Sequence, residues 1–219
     1  MANYKLLIPL LRKNEGGLSN AKTDPARVDP VPDGTGNHTN NGVTWGTFKW
    51  AAPRLGYTAT PALFYEMPKW VWEGIYKKLF WDKLRGDEIK SQGIADMLVD
   101  FAYNAGVGAA IKLAQYVLLG MHSGTGQVGP KTLDALNHKD YKKTLDKLYN
   151  GRLAFYKSLT TLWPIYAVGW TNRLNSVYDF AKKNIGTVAV AGGGLLFGGI
   201  GLFFLIRYWN SDNDKTATK

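Results

Sequence analysis

The stretch RKNEGGLSNAKTD sets Glu15 between a basic run and two glycines, with Asp24 nine positions further on. Two carboxylates can divide the work of breaking a glycosidic bond. One gives a proton to the leaving oxygen; the other, ionised, activates water or attacks the sugar carbon. Environment assigns the roles. A carboxyl at the buried end of an apolar helix stays protonated by desolvation, whereas a hydrated loop keeps one ionised. Glu15 follows the apolar run Leu6–Leu11, and Asp24 lies in a polar stretch. Gly16 and Gly17 leave backbone room for a bulky saccharide. Thr39 and Asn40 are candidates to orient a water or touch the sugar. Plainer readings stand beside these: Glu15 as a surface charge at a helix end, Asp24 as a turn former.

The elements that must position these groups follow from periodicity. Tyr4–Lys13 reads as a helix running into Glu15. Residues 19–42 are rich in Asp, Asn, Pro, Thr and Gly and read as a long irregular segment with room for a short hairpin. Thr44–Leu55 and Lys69–Leu79 read as Trp-rich helices, with Pro61 and Pro68 punctuating the link. Ile94, Met97, Leu98, Phe101, Ala102 and Ala105 recur at the spacing of one buried helical face within Gly93–Leu119, which Gly106 and Gly108 should divide. Pro130 marks a helix start. Tyr141–Leu162 is amphipathic, and a last helix begins near Gly169. The fold class expected is mainly α, an α+β body with a small irregular or β-containing lobe near the N-terminus.

Charge and the chain ends narrow the partners. The net charge is +10, and the last 13 residues contribute +1 of it, leaving a body near +9. Such a body is drawn to polyanions: nucleic acid, anionic lipid or an acidic wall polymer. No nucleic-acid motif is present, so nucleic acid is not expected as a partner. There is no cysteine, and His38, His122 and His138 lack ligand spacing, so no metal site and no cofactor are expected. Leu6–Leu11 is too short for a signal segment, and no cleavage site follows. Ile185–Ile206 is 22 residues without a charge. As a helix it reaches roughly 33 Å, enough to span a bilayer. Lys182 and Lys183 precede it; Arg207, Tyr208 and Trp209 close it. Gly194 and Gly198 form a GxxxG step suited to self-association.

Six segments then occur in a fixed order: NEGGLSNAKTD, HTNNGVTW, DMLVDFAYNAGVGAAIKLAQ, GQVGPKTLDAL, RLAFYKSL and GWTNRL. Together they resemble glycoside hydrolase family 108, the N-acetylmuramidases of phage endolysins and bacterial secretion activators, over about residues 4–181. The resemblance implies a lysozyme-like fold and cleavage of peptidoglycan at the β-1,4 bond after N-acetylmuramic acid. It implies a catalytic region over 1–93 and a helical peptidoglycan-binding region over 94–184; the uncharged run adds a transmembrane helix over 185–206 and a polar tail over 207–219. The catalytic glutamate falls on Glu15, with Asp24 and Thr39 completing the set. An Asp/Pro-rich insertion at residues 25–37 makes Asp29 and Asp33 rivals of Asp24. Asn40, Trp45, Tyr103 and Asn104 are the expected substrate contacts, with Trp50 a further aromatic candidate. The expected location is a host inner membrane or a virion membrane, as a single-pass protein acting on the periplasmic wall in phage lysis or entry. A non-catalytic wall anchor and a bacterial secretion-associated muramidase are the alternatives.

Overall fold

The computed structural model describes residues 1–13 and 16–186. Its elements run α1 (Ile8–Lys13), β1 (Thr39–Asn40), β2 (Val43–Thr44), α2 (Trp45–Arg54), α3 (Pro61–Glu66), α4 (Lys69–Tyr76), α5 (Gln92–Ala105), α6 (Val107–Leu119), α7 (Pro130–Leu136), α8 (Tyr141–Ser158) and α9 (Trp163–Lys183). Among the described residues helices dominate and the two strands form one small antiparallel sheet. The chain divides into two compact units, residues 11–79 and residues 1–10 with 80–186. Residue 93, the boundary suggested by sequence, lies inside α5.

In the unit of residues 11–79, Asn41 and Gly42 turn β1 into β2 with φ of 46° and 74°. Two successive positive φ values give the tight turn whose twist matches paired strands. The register sets Thr39 against Thr44 and Asn40 against Val43. Thr44 then caps α2, its Oγ1 accepting from the Thr47 N–H at 3.1 Å. The core of this unit is aromatic. Trp45 and Phe48 of α2 and Phe64 of α3 form a triangle with centroids 5.6, 5.2 and 5.4 Å apart. Pro61, punctuation in the sequence, opens α3 behind the capping residue Thr60. Met67, in the left-handed region at φ 35°, ends that helix just before Pro68. α4 buries Val71, Trp72, Ile75 and Tyr76 and continues into a π turn at Lys77–Trp81.

The other unit is built around α5. Periodicity predicted one buried face, yet all of its residues are buried. The reason is enclosure: α6, α8 and α9 all pack on it. Its polar residues Gln92, Asp96, Asp100 and Asn104 are four apart, so they line one stripe. Desolvating that stripe requires partners. Asp100 receives Arg152 Nη2 from α8 at 2.6 Å and Arg173 Nη2 from α9 at 2.8 Å. Asp96 receives Gln92 Nε2 at 2.7 Å and Asn184 Nδ2 at 3.4 Å. Burial pushes the Asp96 carboxyl up to about 7, against the hydrogen bonds from Gln92 and Asn184 that favour its charged form.

Glycines decide two junctions. Gly106, at φ 92°, separates α5 from α6; Gly108, the other expected breaker, sits within α6. At Gly93 a Cβ would stand 2.2 Å from the Ala181 carbonyl oxygen, so α9 approaches α5 there only because the side chain is missing. The turn before α7 is held by Gln115, whose Nε2 shares its two hydrogens among Thr125 Oγ1, the Gln127 carbonyl and Thr132 Oγ1 at 3.1, 3.0 and 3.1 Å. α8 stops at Ser158, and α9 starts at Trp163 rather than near Gly169, because Pro164 opens the helix instead of breaking it. Among the described residues no helix is long and apolar enough to cross a membrane. From residue 187 onward the expected span, with Gly194 and Gly198, lies outside the described residues.

Candidate active site

The segment after Gly17 runs beside the start of the hairpin. Ser19 N–H donates to the Thr39 carbonyl at 2.8 Å, and His38 N–H donates to the Ser19 carbonyl at 3.0 Å. This pairing fixes the distance between the stretch carrying Asp24 and the strand carrying Thr39. Asp24 caps the 3-10 turn Pro25–Val28: its Oδ1 accepts from the Ala26 N–H at 2.8 Å. The remaining oxygen, Oδ2, faces His38 and lies 3.9 Å from Nδ1. That same Nδ1 is 2.9 Å from Thr39 Oγ1, and His38 Nε2 is 3.2 Å from the Ala21 carbonyl oxygen. His38 is fully buried, Thr39 nearly so, and the Asp24 side chain is 15% exposed. Asp24, His38 and Thr39 therefore form one cluster. In the sequence His38 reads as one of three scattered histidines, and its only signal is its position directly before the Thr39-Asn40 pair.

The other expected residues are distributed differently. Glu15 lies outside the described residues. The flanking Gly16 and Gly17 are exposed, and a Cβ on either would meet nothing within 4 Å. Asn40 spends both amide hydrogens on the Phe64 and Tyr65 carbonyls, at 2.7 and 2.9 Å, and so ties the hairpin to the end of α3. Trp45 is buried in the aromatic triangle, with Lys49 Nζ 5.7 Å from its ring centroid. Trp50 is half exposed beneath the Arg54 guanidinium, 4.2 Å away.

Asp29 is engaged by Lys49 Nζ at 2.8 Å. Asp33 accepts from the Tyr65 hydroxyl and from Thr35, through its N–H at 3.0 Å and its Oγ1 at 2.7 Å; these bonds hold its carboxyl below the usual range. In the other unit, Tyr103 is buried with its ring 4.9 Å from that of Phe80. Asn104 is fully buried and donates to Asp100 Oδ2 at 3.3 Å, while its Oδ1 has no hydrogen-bond partner among the described residues.

Comparison with known proteins gives this arrangement a setting. Residues 8–106 match the family Glycosyl hydrolase 108. The matched stretch contains Glu15, Asp24, His38, Thr39, Asn40, Trp45, Tyr103 and Asn104. Among solved structures, SagA of Brucella abortus is similar to this chain with a TM-score of 0.67 and 26% identity, over 85% of this chain and 98% of its own. That likeness extends beyond the glycosyl hydrolase match into the helices that follow α5. No curated protein sequence matches the chain.

Proposed function

We infer that the chain is a lysozyme-like peptidoglycan hydrolase that cleaves the β-1,4 bond between N-acetylmuramic acid and N-acetylglucosamine. The observation that carries this reading is the Asp24–His38–Thr39 cluster, lying inside a stretch similar to Glycosyl hydrolase 108. Asp24 has one oxygen occupied by backbone and one turned toward Thr39's neighbour. A water accepted by Asp24 Oδ2 and Thr39 Oγ1 keeps a lone pair for the anomeric carbon of the muramic acid. As it attacks, Asp24 takes its proton, the glycosidic C–O bond breaks, and Glu15 protonates the departing glucosamine oxygen.

Asp29 and Asp33 suit this role less, since the first is bound by Lys49 and the second by Tyr65 and Thr35. Asn104, fully buried beside Asp100, supports its helix rather than meeting the substrate. Asn40, Trp45 and Tyr103 contribute as supports of the sites they border. The strongly basic chain complements wall glycan carrying peptide carboxylates. We extend the reading to a membrane tether through residues 185–206, on the apolar run, and to a role in phage lysis or entry, on the resemblance to phage endolysins.

The direct test is Glu15→Gln on purified wall. Release of reducing ends should stop while the circular-dichroism spectrum stays that of the parent. A variant that clears wall at the parent's rate removes the assignment.

A further inference from the structure

We propose that His38 is a positioning residue that makes Thr39 an obligate hydrogen-bond acceptor toward the reacting water. The inference rests on the hydrolase reading above and deepens it. The ring of His38 is wholly buried, so its two nitrogens must find partners inside the protein. Nε2 faces the Ala21 carbonyl oxygen at 3.2 Å. A carbonyl only accepts, so in a ring carrying one proton that proton sits on Nε2. Nδ1 is then a bare lone pair, and its neighbour at 2.9 Å is Thr39 Oγ1. The hydroxyl owns a single hydrogen, and it is given to Nδ1. What Thr39 presents elsewhere is lone pairs only.

The consequence for the reaction is orientation. A water near Asp24 Oδ2 and Thr39 Oγ1 meets two acceptors and donates one hydrogen to each, so its own lone pair faces away from both. With a freely rotating hydroxyl, Thr39 would alternately donate to that water and occupy the lone pair needed for attack. His38 also joins the two segments of the cluster. Its N–H donates to the Ser19 carbonyl, its carbonyl accepts from the Trp45 N–H, and its ring reaches Ala21, three residues before Asp24. The same residue thus sets both the direction of the Thr39 hydroxyl and the place of the loop that carries Asp24.

Two measurements on the full chain test this. The first is a long-range proton–nitrogen spectrum of the 15N-labelled parent, with the His38 ring assigned by its loss in His38→Asn. A pyridine-type Nδ1 beside a protonated Nε2 is expected; a protonated Nδ1 overturns the proposal. The second is kinetics on soluble glycan fragments. His38→Phe removes both ring contacts and should lower kcat roughly 10- to 100-fold with KM nearly unchanged, because misorientation of the reacting group is lost in the transition state. His38→Asn restores an acceptor at the Nδ1 position and should recover most of the loss. An unchanged kcat in His38→Phe, or no recovery in His38→Asn, overturns the proposal; should His38→Phe not fold, the spectrum of the parent decides. The hydrolase reading fails separately, through an active Glu15→Gln, whatever the state of the His38 ring.

Discussion

Arg152 on α8 and Asp100 on α5 meet at 2.6 Å with both side chains fully buried. Arg173 of α9 reaches the other carboxylate oxygen at 2.8 Å, so one carboxylate serves two helices. Burial alone would raise the Asp100 carboxyl, but the charges of Arg173 and Arg152 outweigh it and hold the group below its ordinary value. Removing the carboxylate leaves the fully buried Arg152 guanidinium without its counter-charge in a dry interior. Asp100→Ala should therefore cost about 3–5 kcal/mol, the range found when one partner of a buried pair is deleted. Urea unfolding of the variant checks this; a loss under 1 kcal/mol would mean the pair is dispensable.

Asp96, one turn earlier on α5, works in the opposite direction. Its native carboxyl is raised to about 7 from the ordinary aspartate value of 3.8. Between those values the native state holds a proton that the unfolded chain has lost. Stability from this group is complete below the unfolded value and declines as pH rises through about 7, by on the order of a few kcal/mol. Asp96→Asn should remove that decline and raise stability at neutral pH. Unfolding midpoints of variant and parent at pH 5 and 8 measure the difference; equal shifts in both proteins would reject it.

Within the site, Asp24→Asn should lower turnover about 10²- to 10⁴-fold, the usual contribution of a positioned base. Asp29→Ala and Asp33→Ala should retain turnover within a few-fold, since each carboxylate is held by other side chains. Reducing-end assays on the three variants rank them. A drop confined to Asp33→Ala would transfer the role.

If water attacks while Glu15 protonates the leaving oxygen, the sugar carbon inverts. Hydrolysis of the β bond should release the α anomer first. Proton NMR during the first minutes of digestion reads the anomer; an initial β product would require a covalent intermediate and a different role for Asp24.

Much of the helical scaffold was legible because periodicity and punctuation are local. The breaks at Gly106 and Pro130, and the hairpin at Asn41-Gly42, announce themselves in a few residues. Two things did not. An aspartate in a helix reads as a solvent-facing residue, and nothing near Asp100 in the chain reveals that Arg152 and Arg173 will close over it. His38 was opaque for the same reason: the Ala21 carbonyl and Thr39 hydroxyl that define its tautomer are brought to it by the pairing of Ser19 with Thr39. Pro61 and Pro164 were visible but ambiguous, since proline both opens and ends helices. The proposed pairing of Glu15 with Asp24 rests on types and spacing, while preferring Asp24 to Asp29 and Asp33 required knowing which carboxylates were already engaged.

The close approach at Gly93 has a mechanical meaning. Around it, Ser91 Oγ donates to the Ile185 carbonyl at 3.0 Å and Asn184 Nδ2 reaches Asp96, so the end of α9 is pinned to the beginning of the most deeply enclosed helix. Any tension applied through the chain beyond residue 186 enters the protein at this clamp. It is then borne by α5 and, through the Asp100 pair, shared with α8, rather than peeling α9 away turn by turn.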